Sequence, residues 1–137
     1  MIIRLIAVFI IVATYVSCTK IKVIPLKGSE VSNIEIINKT HKKYLRQRIS
    51  LNEDQFKLVV SEINSLKHAD GEVNTKSNFG YFDLTIITKN GLKYGFDILE
   101  TEYSGIVIIN RQNSERYKND RLNNLISDFF INEESLL

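Results

Sequence analysis

The residue pattern predicts an α+β domain: an antiparallel β-sheet with two amphipathic helices packed on one face, in the order βββαβββα. Three observations carry this. Two segments repeat apolar residues at three-four spacing, the mark of a helix with one buried stripe. Between Phe82 and Ile98 apolar residues alternate on either side of Lys89-Asn90-Gly91, the mark of a β-hairpin. Further runs rich in β-branched residues stand before the first helix and after the hairpin, which places three strands ahead of each helix.

Lys20 to Ile24 and Val31 to Ile37 read as short strands separated by a turn at Gly28-Ser29. Tyr44 to Ile49 alternates, with Leu45, Gln47 and Ile49 on one side and Tyr44, Arg46 and Arg48 on the other, so it reads as a third strand. The first helix starts at Asn52, where Asn52 and Gln55 have the spacing of a capping box and Leu51 and Phe56 that of a hydrophobic staple. Its buried stripe is Phe56, Val59, Val60, Ile63 and Leu66, and Asp70-Gly71 ends it, which makes His68 a last-turn residue suited to the helix dipole. Residues 70–79 are polar and read as a loop.

The hairpin has two candidate registers. A two-residue turn at Asn90-Gly91 mixes polar and apolar groups on both faces. A three-residue loop, Lys89-Asn90-Gly91 with Gly91 left-handed, pairs Phe82 with Ile98, Leu84 with Phe96, Ile86 with Tyr94 and Thr88 with Leu92, and leaves one face fully apolar. A slip of one residue turns every side chain over, so the second register is the expected one. Gly105 to Asn110 is apolar enough for an interior strand. Asn119 to Ile131 forms the second helix, with Leu122, Leu125, Ile126, Phe129 and Phe130 as its stripe.

The N-terminal residues address location. Arg4 supplies a positive charge, Leu5 to Val16 is a nearly unbroken apolar run, and the small Ser17 precedes Cys18, the one cysteine among 137 residues. This is the pattern of a secretory signal over residues 1–17, and a run of twelve residues falls short of the ~20 that cross a bilayer. Val16, Ser17 and Cys18 resemble the end of a bacterial lipobox, the signature at which a signal peptidase cleaves before a cysteine that carries lipid; Tyr15 holds the place where Leu is usual. The resemblance covers those residues only. It implies a small bacterial lipoprotein anchored in the cell envelope through a palmitate-type chain on Cys18, and, with Thr19 rather than Asp next in line, the periplasmic side of the outer membrane in a cell that has one.

Residues 18–137 then form a single domain of 120 residues with a charge of about +1, which points to no particular partner and argues against nucleic acid. With no further cysteine, neither a disulfide nor a thiolate metal site is available. The glycines stand singly at expected turns or bends rather than in a phosphate loop, and His41 and His68 have no ligand-spaced neighbours, so the sequence calls for no cofactor, no metal and no catalytic set.

Two features remain as candidate sites. The preferred register sets Asp83 directly opposite Asp97 on the outer side of the sheet, a like-charge pair that needs compensation. A neighbouring Lys93 or Arg111, or solvation, is the simplest; a hard cation such as calcium, or an acid–base pair assisted by Tyr81 or Glu100, are the alternatives. The basic stretch Lys39, Lys42, Lys43, Arg46 and Arg48 contains no acid and fits anionic head groups or an acidic partner. Within it Tyr44, Arg46 and Arg48 are of the types enriched at protein contacts. The expected function is therefore a lipid-anchored binding or inhibitory module for another envelope protein. The alternatives are an envelope small-ligand or cation-binding protein or enzyme using Asp83 and Asp97, and a structural or assembly lipoprotein.

Overall fold

The computed structural model describes residues 22–39, 44–69, 77–101 and 104–136. The signal segment 1–17, Cys18, Lys20, His41, Lys42, Lys43, Asp70 and Gly71 lie outside them. Strands β1 (Val31–Asn38) and β2 (Arg48–Ser50) come first, followed by helix α1 (Glu53–Asn64). Strands β3 (Lys67–His68), β4 (Ser77–Thr88), β5 (Lys93–Thr101), β6 (Gly105–Asn110) and β7 (Arg116–Lys118) precede helix α2 (Asp120–Glu134). The strands make one antiparallel sheet in the order β2-β1-β4-β5-β6-β7-β3. Both helices cover the same face, and among the described residues no helix is long and apolar enough to cross a membrane.

The local signals act as the sequence suggests. Asn52 Oδ1 accepts from the Gln55 N–H at 3.0 Å while Gln55 Oε1 accepts from the Asn52 N–H at 2.9 Å, so two orphan donors of α1 are satisfied reciprocally. Leu51 and Phe56 are both buried beside them. At α2 the cap is Asn119, whose Oδ1 accepts from the Arg121 N–H at 2.7 Å. The β4–β5 hairpin has the three-residue loop: Thr88 and Leu92 are joined by a 2.9 Å backbone bond, Gly91 has φ +87°, and Leu84 pairs with Phe96 and Phe82 with Ile98. Gly91 is needed there because L side chains resist that backbone region. β6 lies between β5 and β7 inside the sheet.

Alternation then sorts the sheet into two faces. Ile34, Ile36, Phe82, Leu84, Ile86, Phe96, Ile98 and Ile108 point to the helices and meet Phe56, Val59, Ile63, Leu122, Ile126 and Phe130 in one continuous core. The outer face carries Glu35, Ile37, Arg48, Tyr81, Asp83, Thr85, Asp97, Arg116 and Lys118 at the intervening register positions.

Four expectations are corrected. Residues 22–25 are not a strand: Ile24 is buried, but its N–H donates to Asn64 Oδ1 at 3.0 Å, so this segment docks on α1 instead of joining a ladder. The third strand starts only at Arg48. Helix α1 stops at Asn64, where the Ser65 hydroxyl donates to the Glu62 carbonyl at 2.8 Å. The chain turns there into β3, so His68 is a strand residue whose ring packs 4.8 Å from that of Tyr117, not a helix-end residue. Residues 77–79, expected in a loop, begin β4.

Candidate functional site

Asp83 and Asp97 face each other across β4 and β5 on the outer face, as the register requires. Their charges are compensated by Arg111, one of the two bases expected to do so. Arg111 follows β6 directly, and its N–H donates to the Gly95 carbonyl at 2.9 Å, which fixes where its side chain starts. The guanidinium then crosses over Gly95. Its Nη2 donates to Asp83 Oδ1 at 2.6 Å and reaches Thr85 Oγ1 at 3.2 Å and the Leu84 carbonyl at 3.3 Å. Arg111 Nε lies 3.7 Å from Asp97 Oδ1.

Gly95 is therefore not a turn residue. It sits inside β5, where an added Cβ would come within 2.6 Å of Arg111 Nη2 and 2.7 Å of Cζ, so the bare Cα leaves the lane the guanidinium occupies. From the other side Lys39 Nζ stands 3.4 Å from Asp83 Oδ2 and 5.4 Å from the centre of the Tyr81 ring. The Tyr81 hydroxyl donates to Asp97 Oδ1 at 2.9 Å. Two carboxylates are thus matched by two cations and a phenol. Arg111 takes the position between the carboxylates that a hard cation would need, and among the described residues no group of three or more acids, histidines or cysteines is placed to hold a metal ion.

Burial, and then the hydrogen bond and charge of Asp97, push the Tyr81 hydroxyl up to about 12 from its usual 10.0. Burial and the bond from its hydroxyl to Glu115 Oε2 at 2.7 Å likewise raise Tyr117. In each case the unfolded chain loses the proton first, so the stabilising contribution is whole below pH 10 and is lost as pH rises through the folded value. A base titration is expected to show the chain losing stability from pH 10 upward, with two tyrosines ionising late by tyrosinate absorbance. Tyr81 and Tyr117 ionising near pH 10 in the folded chain would contradict the arrangement.

The other predicted residues are not gathered here. Glu100 occupies a register position of the opposite parity to Asp97, so only Tyr81 of the two suggested helpers joins the pair. Tyr44, Arg46 and Arg48 do not share a face. Tyr44 turns inward, its ring 5.1 Å from Phe130 and 6.1 Å from Phe82; Arg46 reaches Glu133 of α2 at 3.6 Å; Arg48 pairs with Glu35 at 3.4 Å on the outer face. Leu45 and Ile49, expected on one side of a strand, also part: Leu45 is 83% exposed while Ile49 is buried.

A cleft of about 330 Å³ opens at the hairpin tip between Pro25, Leu26, Lys89, Leu92 and Tyr94. Neither Asp83 nor Asp97 lines it, and its one acid, Glu30, already accepts from the Lys27 N–H. Comparison of the chain with protein-family models, with curated proteins and with solved structures finds no match.

Proposed function

We propose that the chain is a lipid-anchored envelope protein, held in the membrane through Cys18, that works as a small binding module for another envelope protein. The observation that supports this is the state of the outer face around β2, β1 and β4. Arg48 and Tyr81 stand there on the outer face and the Arg111 side chain reaches it from the end of β6, each fixed by a partner on the protein: Glu35, Asp97 and Asp83. Arginine and aromatic side chains held in place before contact lose little freedom on binding, which is the property of energetic centres at protein interfaces. Arg48, 62% exposed, is the member of the predicted trio that remains on this face.

Labelling with a fatty acid is expected to mark the native chain and to miss Cys18→Ala, which leaves the membrane fraction or stays unprocessed. Unchanged partition with normal processing would remove the anchor from the reading. For the binding face, cross-linking in native envelopes is expected to lose its adduct with Arg48→Ala and keep it with Arg46→Ala, whose side chain lies on the α2 side. Equal adducts from both variants would put the contact elsewhere.

A further inference from the structure

The members of the basic stretch that lie among the described residues are each paired with an acid. Lys39, Arg46 and Arg48 meet Asp83, Glu133 and Glu35, and Arg121 meets Glu62. At the other edge of the sheet the reverse holds. Lys67 of β3 is paired in register with Lys118 of β7, and Arg116 stands two residues before Lys118 on the same outer face. Strand geometry sets the two lysine Cβ atoms about 5 Å apart and Arg116 about 7 Å along the strand. All three side chains are exposed, and among the described residues none makes an ion pair, whereas Arg46, Arg48, Arg111 and Arg121 each have a carboxylate. Like charges directly opposed across strands are unfavourable by themselves, and the acid described at this edge, Glu115, is engaged by Tyr117 and His68, so among the described residues an anionic surface is the complement these three side chains lack.

The path of the chain points to which anionic surface. The described chain begins at Lys22, and Ile24 is tied to Asn64, three residues ahead of Lys67. From Cys18 to Lys22 the chain spans at most about 14 Å. A lipid on Cys18 therefore holds the end of α1 from which β3 departs close to the bilayer surface.

We propose that Lys67, Arg116 and Lys118 form a seat for anionic phospholipid head groups of the membrane that carries Cys18, fixing the orientation of the domain on it. This rests on the lipid-anchored reading above. Each basic side chain near an anionic bilayer contributes about fivefold in partition, so three contribute about 100-fold.

The test compares the full chain with K67Q/R116Q/K118Q on phosphatidylcholine vesicles made with and without phosphatidylglycerol. Both chains carry the same N-terminus, so binding to neutral vesicles measures that segment alone and the anionic-to-neutral ratio measures the seat. The ratio is expected to fall about 100-fold in the variant, with unchanged circular dichroism, and to vanish for the native chain in 1 M salt, where charges are screened within ~3 Å. A ratio untouched by the substitutions overturns the proposal. So does release of the native chain by inorganic phosphate at constant ionic strength, which would make the cluster a site for a free anion. Fatty-acid labelling of Cys18 is scored separately, so a missing anchor and a missing seat give different results.

Discussion

Phe130→Ala is expected to cost about 4 kcal/mol, the middle of the range for emptying a buried aromatic site. The ring is fully buried and stacks 5.5 Å from Phe82 on the sheet and 5.1 Å from Tyr44, so it fastens α2 both to β4 and to the chain entering β2. Its ring neighbours are Phe82, held in β4, and Tyr44, in the segment entering β2, and a paired strand gives Phe82 little freedom to collapse into the space a missing phenyl leaves. A domain of this size has roughly 5–15 kcal/mol in total, so much of the margin goes. Urea unfolding should show the midpoint dropping at unchanged slope, while Phe130→Leu, which keeps most of the volume, should lose under about 2 kcal/mol. Ile131→Ala, next in sequence but 54% exposed, should move it little. A loss below about 1 kcal/mol for Phe130→Ala would mean the ring is not the link between the two layers.

Arg111→Met is expected to cost about 2 kcal/mol. Stripping one partner from a fully buried pair costs about 3–5 kcal/mol, and the figure is lower here because the Arg111 side chain is 37% exposed. What remains is Asp83, 9% exposed, facing a second carboxylate, with Lys39 beside Asp83 and the Tyr81 hydroxyl on Asp97 to offset them. Gly95→Ala should produce a similar loss by a different route, since the new methyl displaces the guanidinium from the carboxylates. The two changes are therefore coupled. In the Arg111→Met background the added methyl has less to displace, and Gly95→Ala should cost far less than in the native chain. Strictly additive losses in equilibrium unfolding would show that Gly95 and Arg111 act independently.

Much of this fold was legible because its central elements declare themselves locally. The hairpin register followed from the choice between one mixed and one apolar face, with Gly91 able to take the turn, and that register alone placed Asp83 against Asp97. Asn52 with Gln55 announced α1. The edges were not legible, for a physical reason. Lys67-His68 and Arg116-Tyr117-Lys118 are too short and polar to show alternation, and they are strands because each is paired by backbone bonds to the other. Tyr44 broke its segment's alternation because two phenylalanines distant in sequence offered its ring a better place than the edge of a sheet. Ile24 looked like a strand residue until an asparagine forty positions away took its N–H. In the site, Arg111 was one of two bases the sequence offered, but nothing in it showed that a mid-strand glycine makes room for the guanidinium.

The seven-stranded sheet ends in strands of three residues at β2 and two at β3. Unpaired backbone at a sheet margin is a template on which another chain can crystallise into a growing ribbon, and long, flat, apolar margins are the hazardous ones. Among the described residues a newcomer finds few backbone groups at either end, with Arg48 on one and Lys67 on the other to repel a copy of itself. Tethering to a surface concentrates molecules in two dimensions and raises their encounter rate, so under the lipid-anchored reading proposed above the chain gains most from margins that offer so little to copy.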